Sequence, residues 1–171
     1  MVGSDVKKCP RIFIDAIEKV NIAVYERLLD NDVIPWILKT YPDGHFVSQQ
    51  DGAPAHTASS IQQKLTEELG WETYCWRKMW PPKSPDLNPL DYSIWSLLQE
   101  KVQGVSHPNV EALKAHIMKL WEAMHSAYIM KTCQSFRPRV EKVIAAEGIT
   151  LSEGGVKACG EMWQTSVWWF Y

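Results

Sequence analysis

Phe46-Val47-Ser48-Gln49-Gln50-Asp51-Gly52-Ala53-Pro54 is the stretch on which the fold turns. Its β-favouring start predicts a strand over residues 46–50, and Gly52-Ala53-Pro54 breaks it, because proline has no N–H to give a sheet. Asp51 is thereby delivered at the strand's C-terminal end. Working forward, residues 57–69 place Ala58, Ile61, Leu65 and Leu69 on one helical face, with Gly70 at the end. Working back, Tyr41-Pro42-Asp43-Gly44 reads as a turn and residues 33–38 as a short helix. Before that, Ile22, Tyr25, Leu28 and Leu29 fall at helical spacing, with Asn21 as N-cap and Asn31-Asp32 as the stop. Arg11-Ile12-Phe13-Ile14 is a short β-type run, preceded by a hairpin turn around Ser4-Asp5-Val6-Lys7-Lys8.

Downstream, residues 73–76 read as another strand, and the segment 79–89 holds four prolines, Pro81, Pro82, Pro85 and Pro89, so it cannot be regular. Asn88 then caps a helix with Pro89 at its first position, the favoured place for proline. That helix carries Leu90, Ile94, Leu97 and Leu98 and ends near Gly104. Pro108-Asn109 begins the next, with Val110, Leu113, Ile117, Leu120 and Trp121 at helical spacing. A last helical stretch spans 126–147, interrupted near Pro138. Strand, helices, strand, helix, strand and three helices make an α/β layer with its sheet toward the N-terminal half.

Composition sets outer limits. The chain has 171 residues, 46% hydrophobic and 22% charged, which suits one globular domain. No apolar run is long enough to span a membrane, and no charged-then-apolar leader opens the sequence. A net charge of −2 argues against a nucleic-acid-binding domain held by bulk positive charge. Cys9, Cys75, Cys133 and Cys159 form no CxxC pair, so reduced, mostly buried thiols are expected rather than a metal knot or a disulfide frame. Three of the nine tryptophans, Trp163, Trp168 and Trp169, fall in the last nine residues.

Two carboxylates stand out by position. Asp51 ends a strand, and Asp91 occupies the third position of the helix that Asn88 and Pro89 begin. A first-turn carboxylate faces unpaired amides and the positive end of the helix dipole, which favours the anion. Two such groups facing one another would make a hard-oxygen site suited to Mg²⁺ or Mn²⁺. Position alone equally describes routine turn and capping chemistry, which is the commoner use of both placements. A metal-free acid/base pair would need one raised pKa, and the helix-start placement of Asp91 pushes the other way.

The local motifs decide further. Gln50-Asp51-Gly52-Ala53-Pro54-Ala55-His56-Thr57-Ala58, then Trp80-Pro81, then Ser84-Pro85-Asp86-Leu87-Asn88-Pro89-Leu90-Asp91-Tyr92 resemble the Tc1/mariner transposases of the DDE/DDD superfamily. With Val33-Ile34-Pro35-Trp36 and residues 21–25, the resemblance covers roughly 1–147. It implies an α/β fold with an RNase H-like mixed sheet flanked by helices, here N-terminally incomplete, and a helical C-terminal part. It implies Asp51 as the second catalytic acid and Asp91 as the third, both metal ligands for Mg²⁺ or Mn²⁺, with 39 residues between them. Asp86 is a rival third acid, but the motif's acid follows Asn-Pro-x, which leaves Asp86 as a loop-capping residue. Arg77 and Lys78 are either phosphate contacts or a solvated surface pair. His56 reads as a turn or capping histidine.

The same resemblance places the first acid on a central strand upstream of residues 1–14, so that acid and the DNA-gripping helix-turn-helix region are expected to be absent. Asp5 reads as a turn residue and Asp15 as a solvated one. The expected function is a transposase catalytic-domain fragment whose parent activity is metal-dependent DNA cleavage and strand transfer, acting in the nucleus on transposon ends. With one carboxylate short, this chain is expected to be inactive alone and to bind DNA weakly. The alternative is a catalytically silent transposase-derived module binding DNA or protein. The resemblance also admits a homodimer, on which these residues are silent. Residues 148–171 carry no trusted pattern and are expected to form a non-homologous, poorly ordered tail.

Overall fold

The computed structural model describes residues 1–15, 17–70 and 84–146, together with the backbone of 166–169. The element order is β1 (Val2–Gly3), α1 (Ile22–Leu28), α2 (Ile34–Thr40), β2 (Phe46–Gln49), α3 (Ser59–Leu69), α4 (Trp95–Gln103), α5 (Val110–Glu122), α6 (Ser126–Gln134), α7 (Phe136–Ala145) and β3 (Ser166–Trp169). The described part is thus mostly helical, around a small three-stranded sheet of order β1-β3-β2. β3 lies antiparallel to β1 and parallel to β2, with Gly3 and Ser48 both opposite Trp168. This strand falls within 148–171, where the sequence offers no pattern, because its partners lie more than a hundred residues away.

β2 organises the core. Successive strand side chains point to opposite faces, and Phe46 and Val47 accordingly enter different clusters. Phe46 joins Tyr25, Leu29, Ile34, Ile37, Ile61 and Leu65 from α1, the turn that follows it, α2 and α3. Val47 joins Leu90, Ile94, Trp121, Ile129 and Phe136 from the C-terminal helices. All four residues of β2 are buried, as in a strand covered on both faces.

Several local expectations meet a different outcome. The Asn31-Asp32 stop does not end the first helix; residues Leu29–Val33 form a π-helical turn that runs straight into α2. The wider turn relocates the hydrogen bonds just where Pro35, lacking an N–H, would otherwise break the ladder. Arg11-Ile12-Phe13-Ile14 is not a strand. The Arg11 guanidinium lies 4.2 Å from the Trp95 ring and 5.3 Å from that of Trp121, and this stacking holds the segment as a loop while Val2–Gly3 takes the sheet position. The interruption near Pro138 comes at Ser135, with Pro138 in the first turn of α7.

The hairpin turn around residues 4–8 is present: the Val6 and Gly3 amides donate to Gly3 and Lys7 carbonyls at 3.0 Å each. Val6 takes a positive φ of 64° there. Asp5 is tied to the end of α2, accepting from the Tyr41 hydroxyl at 2.7 Å. Lys8 donates to the Trp121 and Glu122 carbonyls at 2.7 and 2.9 Å, closing the C-terminus of α5. Cys9 and Cys133 are buried and unbridged, and burial pushes the Cys133 thiol up to about 12. The second strand expected at 73–76, and Arg77 and Lys78, lie outside the described residues.

Candidate active site

Asp51 stands two residues past the end of β2, where Gly52, Ala53 and Pro54 turn the chain toward α3. Its Oδ1 accepts from the Ala53 amide at 2.9 Å and from His56 Nδ1 at 2.5 Å. The turn is closed behind it by the Thr57 amide donating to the Ala53 carbonyl at 3.0 Å. His56 is only 5% exposed. Its ring packs on Tyr25 of α1 at 4.3 Å between centroids, and its carbonyl accepts from Gln62 of α3 at 2.7 Å. Gln50 in turn donates to the Tyr25 hydroxyl. Burial alone would push the Asp51 carboxyl up; the bonds from His56 and Ala53, and the His56 ring beside it, more than offset this and hold it below the usual carboxylate value.

Asp91 arrives from the other side. Asn88, 3% exposed, accepts from the Leu90 amide through its Oδ1 at 3.0 Å, and its carbonyl accepts from Asp91 and Tyr92 at 2.9 and 3.0 Å. The helix therefore begins as its sequence predicts, with Asn88 as cap and Pro89 first. Its opening turn, Leu90–Ile94, is π-helical, with the Trp95 amide reaching the Leu90 carbonyl. The neighbours of Asp91 lock this turn to α6. Tyr92 donates to the Thr132 carbonyl at 2.6 Å, and the Ser93 and Tyr128 hydroxyls pair at 2.6 Å. Arg139 of α7 lies 3.9 Å from the Tyr92 ring and donates to the Asp86 carbonyl at 3.1 Å.

The helix-start position does not win at Asp91. Burial, then the Asp51 charge, push its carboxyl above the usual value, against a hydrogen bond from the Asn88 side chain. The charge of Asp51 is thus felt at Asp91. Asp86 is exposed, on the short 3₁₀ turn Pro85–Leu87. Among the described residues no group of three or more His, Cys, Asp or Glu side chains could hold a metal ion. His56, read from sequence as a turn residue, is the direct partner of Asp51. The only cue was a histidine five positions after an aspartate across a Gly-Ala-Pro turn, and it needed the folded turn to become specific.

A mostly helical domain around a small sheet carries one acid just past β2 and another in the π-helical turn Leu90–Ile94. The model of the DDE superfamily endonucleases matches residues 14–114, more than half of the chain, and the chain belongs to that family. It is similar to the Tc1 transposase of Caenorhabditis elegans, 31% identical over 128 residues, covering 72% of this chain and 43% of that protein. It is likewise 31% identical over 125 residues to the Tcb2 transposase of Caenorhabditis briggsae, covering 73% of this chain and 43% of the relative. Among solved structures, the catalytic domain of Mos1 mariner transposase matches with a TM-score of 0.66 at 26% identity, covering 77% of this chain and 64% of that one. The Mos1 mariner paired end complex with Mn matches with a TM-score of 0.66 at 25% identity, covering 78% and 38%. The chain therefore spans 43% of the length of these Tc1-type relatives.

Proposed function

We propose that this chain is the metal-binding core of a Tc1/mariner-type transposase catalytic domain of RNase H-like design, acting in the nucleus on the DNA of transposon ends. The observation that supports this is the charge of Asp51, just past β2, felt at Asp91 in the helix after Asn88. Two carboxylates that repel in the free chain are relieved by a divalent cation. The donors are hard oxygens, which suit Mg²⁺ or Mn²⁺. Such ions are commonly held by one or two carboxylates, with water and substrate phosphate completing the shell. Asp51 and Asp91 would hold the ion; when bound, it supplies electrostatic stabilisation at the phosphate and activation of the attacking oxygen. The manganese in the matched Mos1 complex supports the same choice of ion for this family.

Two carboxylates do not make a complete two-ion site. We therefore expect these 171 residues, assayed alone, to bind Mn²⁺ yet to give little strand transfer. The alternative, a silent module that binds DNA or protein, keeps the fold without the metal. The separating experiment incubates the purified chain with labelled transposon-end DNA and Mn²⁺, alone and with Asp51→Asn or Asp91→Asn. Weak nicking lost in both variants supports the paired-acid reading. DNA retention that is indifferent to Mn²⁺ and to both substitutions favours the silent module.

A further inference from the structure

The turn after β2 holds a buried histidine that the paired-acid reading does not use. We propose that His56 is a positioning residue for Asp51: it pins Oδ1 so that Oδ2 is the oxygen offered to a divalent cation. This rests on the metal-centre reading above and adds to it the residue that sets the geometry.

An ionised carboxylate can only accept hydrogen bonds, so His56 Nδ1 carries the hydrogen in the 2.5 Å contact. The Ala53 amide ends on the same Oδ1 at 2.9 Å. Two donors converging on one oxygen fix the carboxylate's rotation and leave the other oxygen outside both of these bonds. His56 can do this because its ring and its carbonyl are both held. Its ring lies against Tyr25, the Tyr25 hydroxyl is held by Gln50 beside the acid, and its carbonyl is held by Gln62 of α3. Asp51 by contrast is followed by Gly52 and stands beyond the last sheet residue, where the strand ladder no longer constrains it. Partners that hydrogen-bond a metal-binding side chain typically change ion affinity by about 10–100-fold when removed.

The test is Mn²⁺ titration of the full chain, read by the loss of the free-ion electron paramagnetic resonance signal. It compares wild type with Asp51→Asn, His56→Asn, His56→Gln and His56→Leu, with thermal melts as the fold control. Asparagine places an N–H near the Nδ1 position, and glutamine places it one carbon further out. His56→Asn should stay within about twofold of wild type, while His56→Gln and His56→Leu weaken binding by about 10-fold or more. Should His56→Leu unfold the chain, the asparagine–glutamine pair decides alone. Equal affinity in wild type, His56→Asn and His56→Gln, with Asp51→Asn weakened, overturns the positioning role and leaves the metal centre standing. No binding by wild type, or none lost in Asp51→Asn, overturns both.

Discussion

Asn88 is the residue through which the third-helix-position acid is placed, and its replacement has a cost that follows from its contacts. Its Oδ1 accepts the Leu90 amide at 3.0 Å in a buried setting, a cap whose loss costs about 1 kcal/mol. Its side chain also lies beside the Asp91 carboxylate and favours the charged form. Asn88→Ala should therefore lose about 1 kcal/mol in urea unfolding at pH 7. Asn88→Asp separates the two parts: it keeps the cap acceptor, loses the donor to Asp91 and adds a like charge beside it. It should be destabilised at pH 7 and recover on acidification into the carboxylate range, which Asn88→Ala should not. An Asn88→Ala midpoint equivalent to less than about 0.5 kcal/mol, the range of ordinary surface changes, would refute the assignment of Asn88 as the clamp.

Further outcomes follow from the same contacts. Folded Asp91 holds its proton more tightly than the unfolded chain does, so its ionisation costs stability as pH rises through its raised pKa. Asp91→Asn should then melt above wild type at pH 7 in EDTA, with the gap closing below the ordinary carboxylate value; a lower melting temperature at pH 7 contradicts this. Asp51, held low, works the other way: Asp51→Asn removes stability present at pH 7, and that loss shrinks as pH falls through the lowered pKa. Ile94→Ala, at a fully buried site in the cluster that Val47 enters, should cost about 2–5 kcal/mol by chemical denaturation. Val167→Pro puts a residue that cannot donate into the strand between β1 and β2 and should cost about 1–3 kcal/mol. It should also speed amide exchange across Phe46–Gln49, and unchanged exchange there would mean β3 does not hold β2.

What could be read from the chain was chemistry that acts over a few residues. Asn21 and Asn109 cap α1 and α5 through amides three positions on, at 3.0 and 2.8 Å. Gly70 ends α3 with φ 82°, and Asn88-Pro89 fixes where Asp91 enters. What could not be read depends on groups far apart in sequence. Asn31-Asp32 looked like a stop because nothing local signals the π turn that carries the helix on to Thr40. Arg11 became a loop residue because Trp95 and Trp121, over eighty residues away, receive its guanidinium. His125 caps α6 through Nδ1, accepting from Ala127 at 3.2 Å, a cap outside the usual Asn, Asp, Ser and Thr set. The ionisation of Asp91 departs from its sequence expectation for the same reason: the dipole at a helix start is visible in sequence, whereas burial and the charge of Asp51 are not.

The paired-acid centre is tested most directly by anomalous diffraction from crystals of the chain soaked in Mn²⁺. One manganese peak within coordinating distance of both Asp51 Oδ2 and an Asp91 carboxylate oxygen is the expected result, and it should vanish in Asp51→Asn crystals. Full occupancy elsewhere on the surface with none between the two carboxylates would contradict the site.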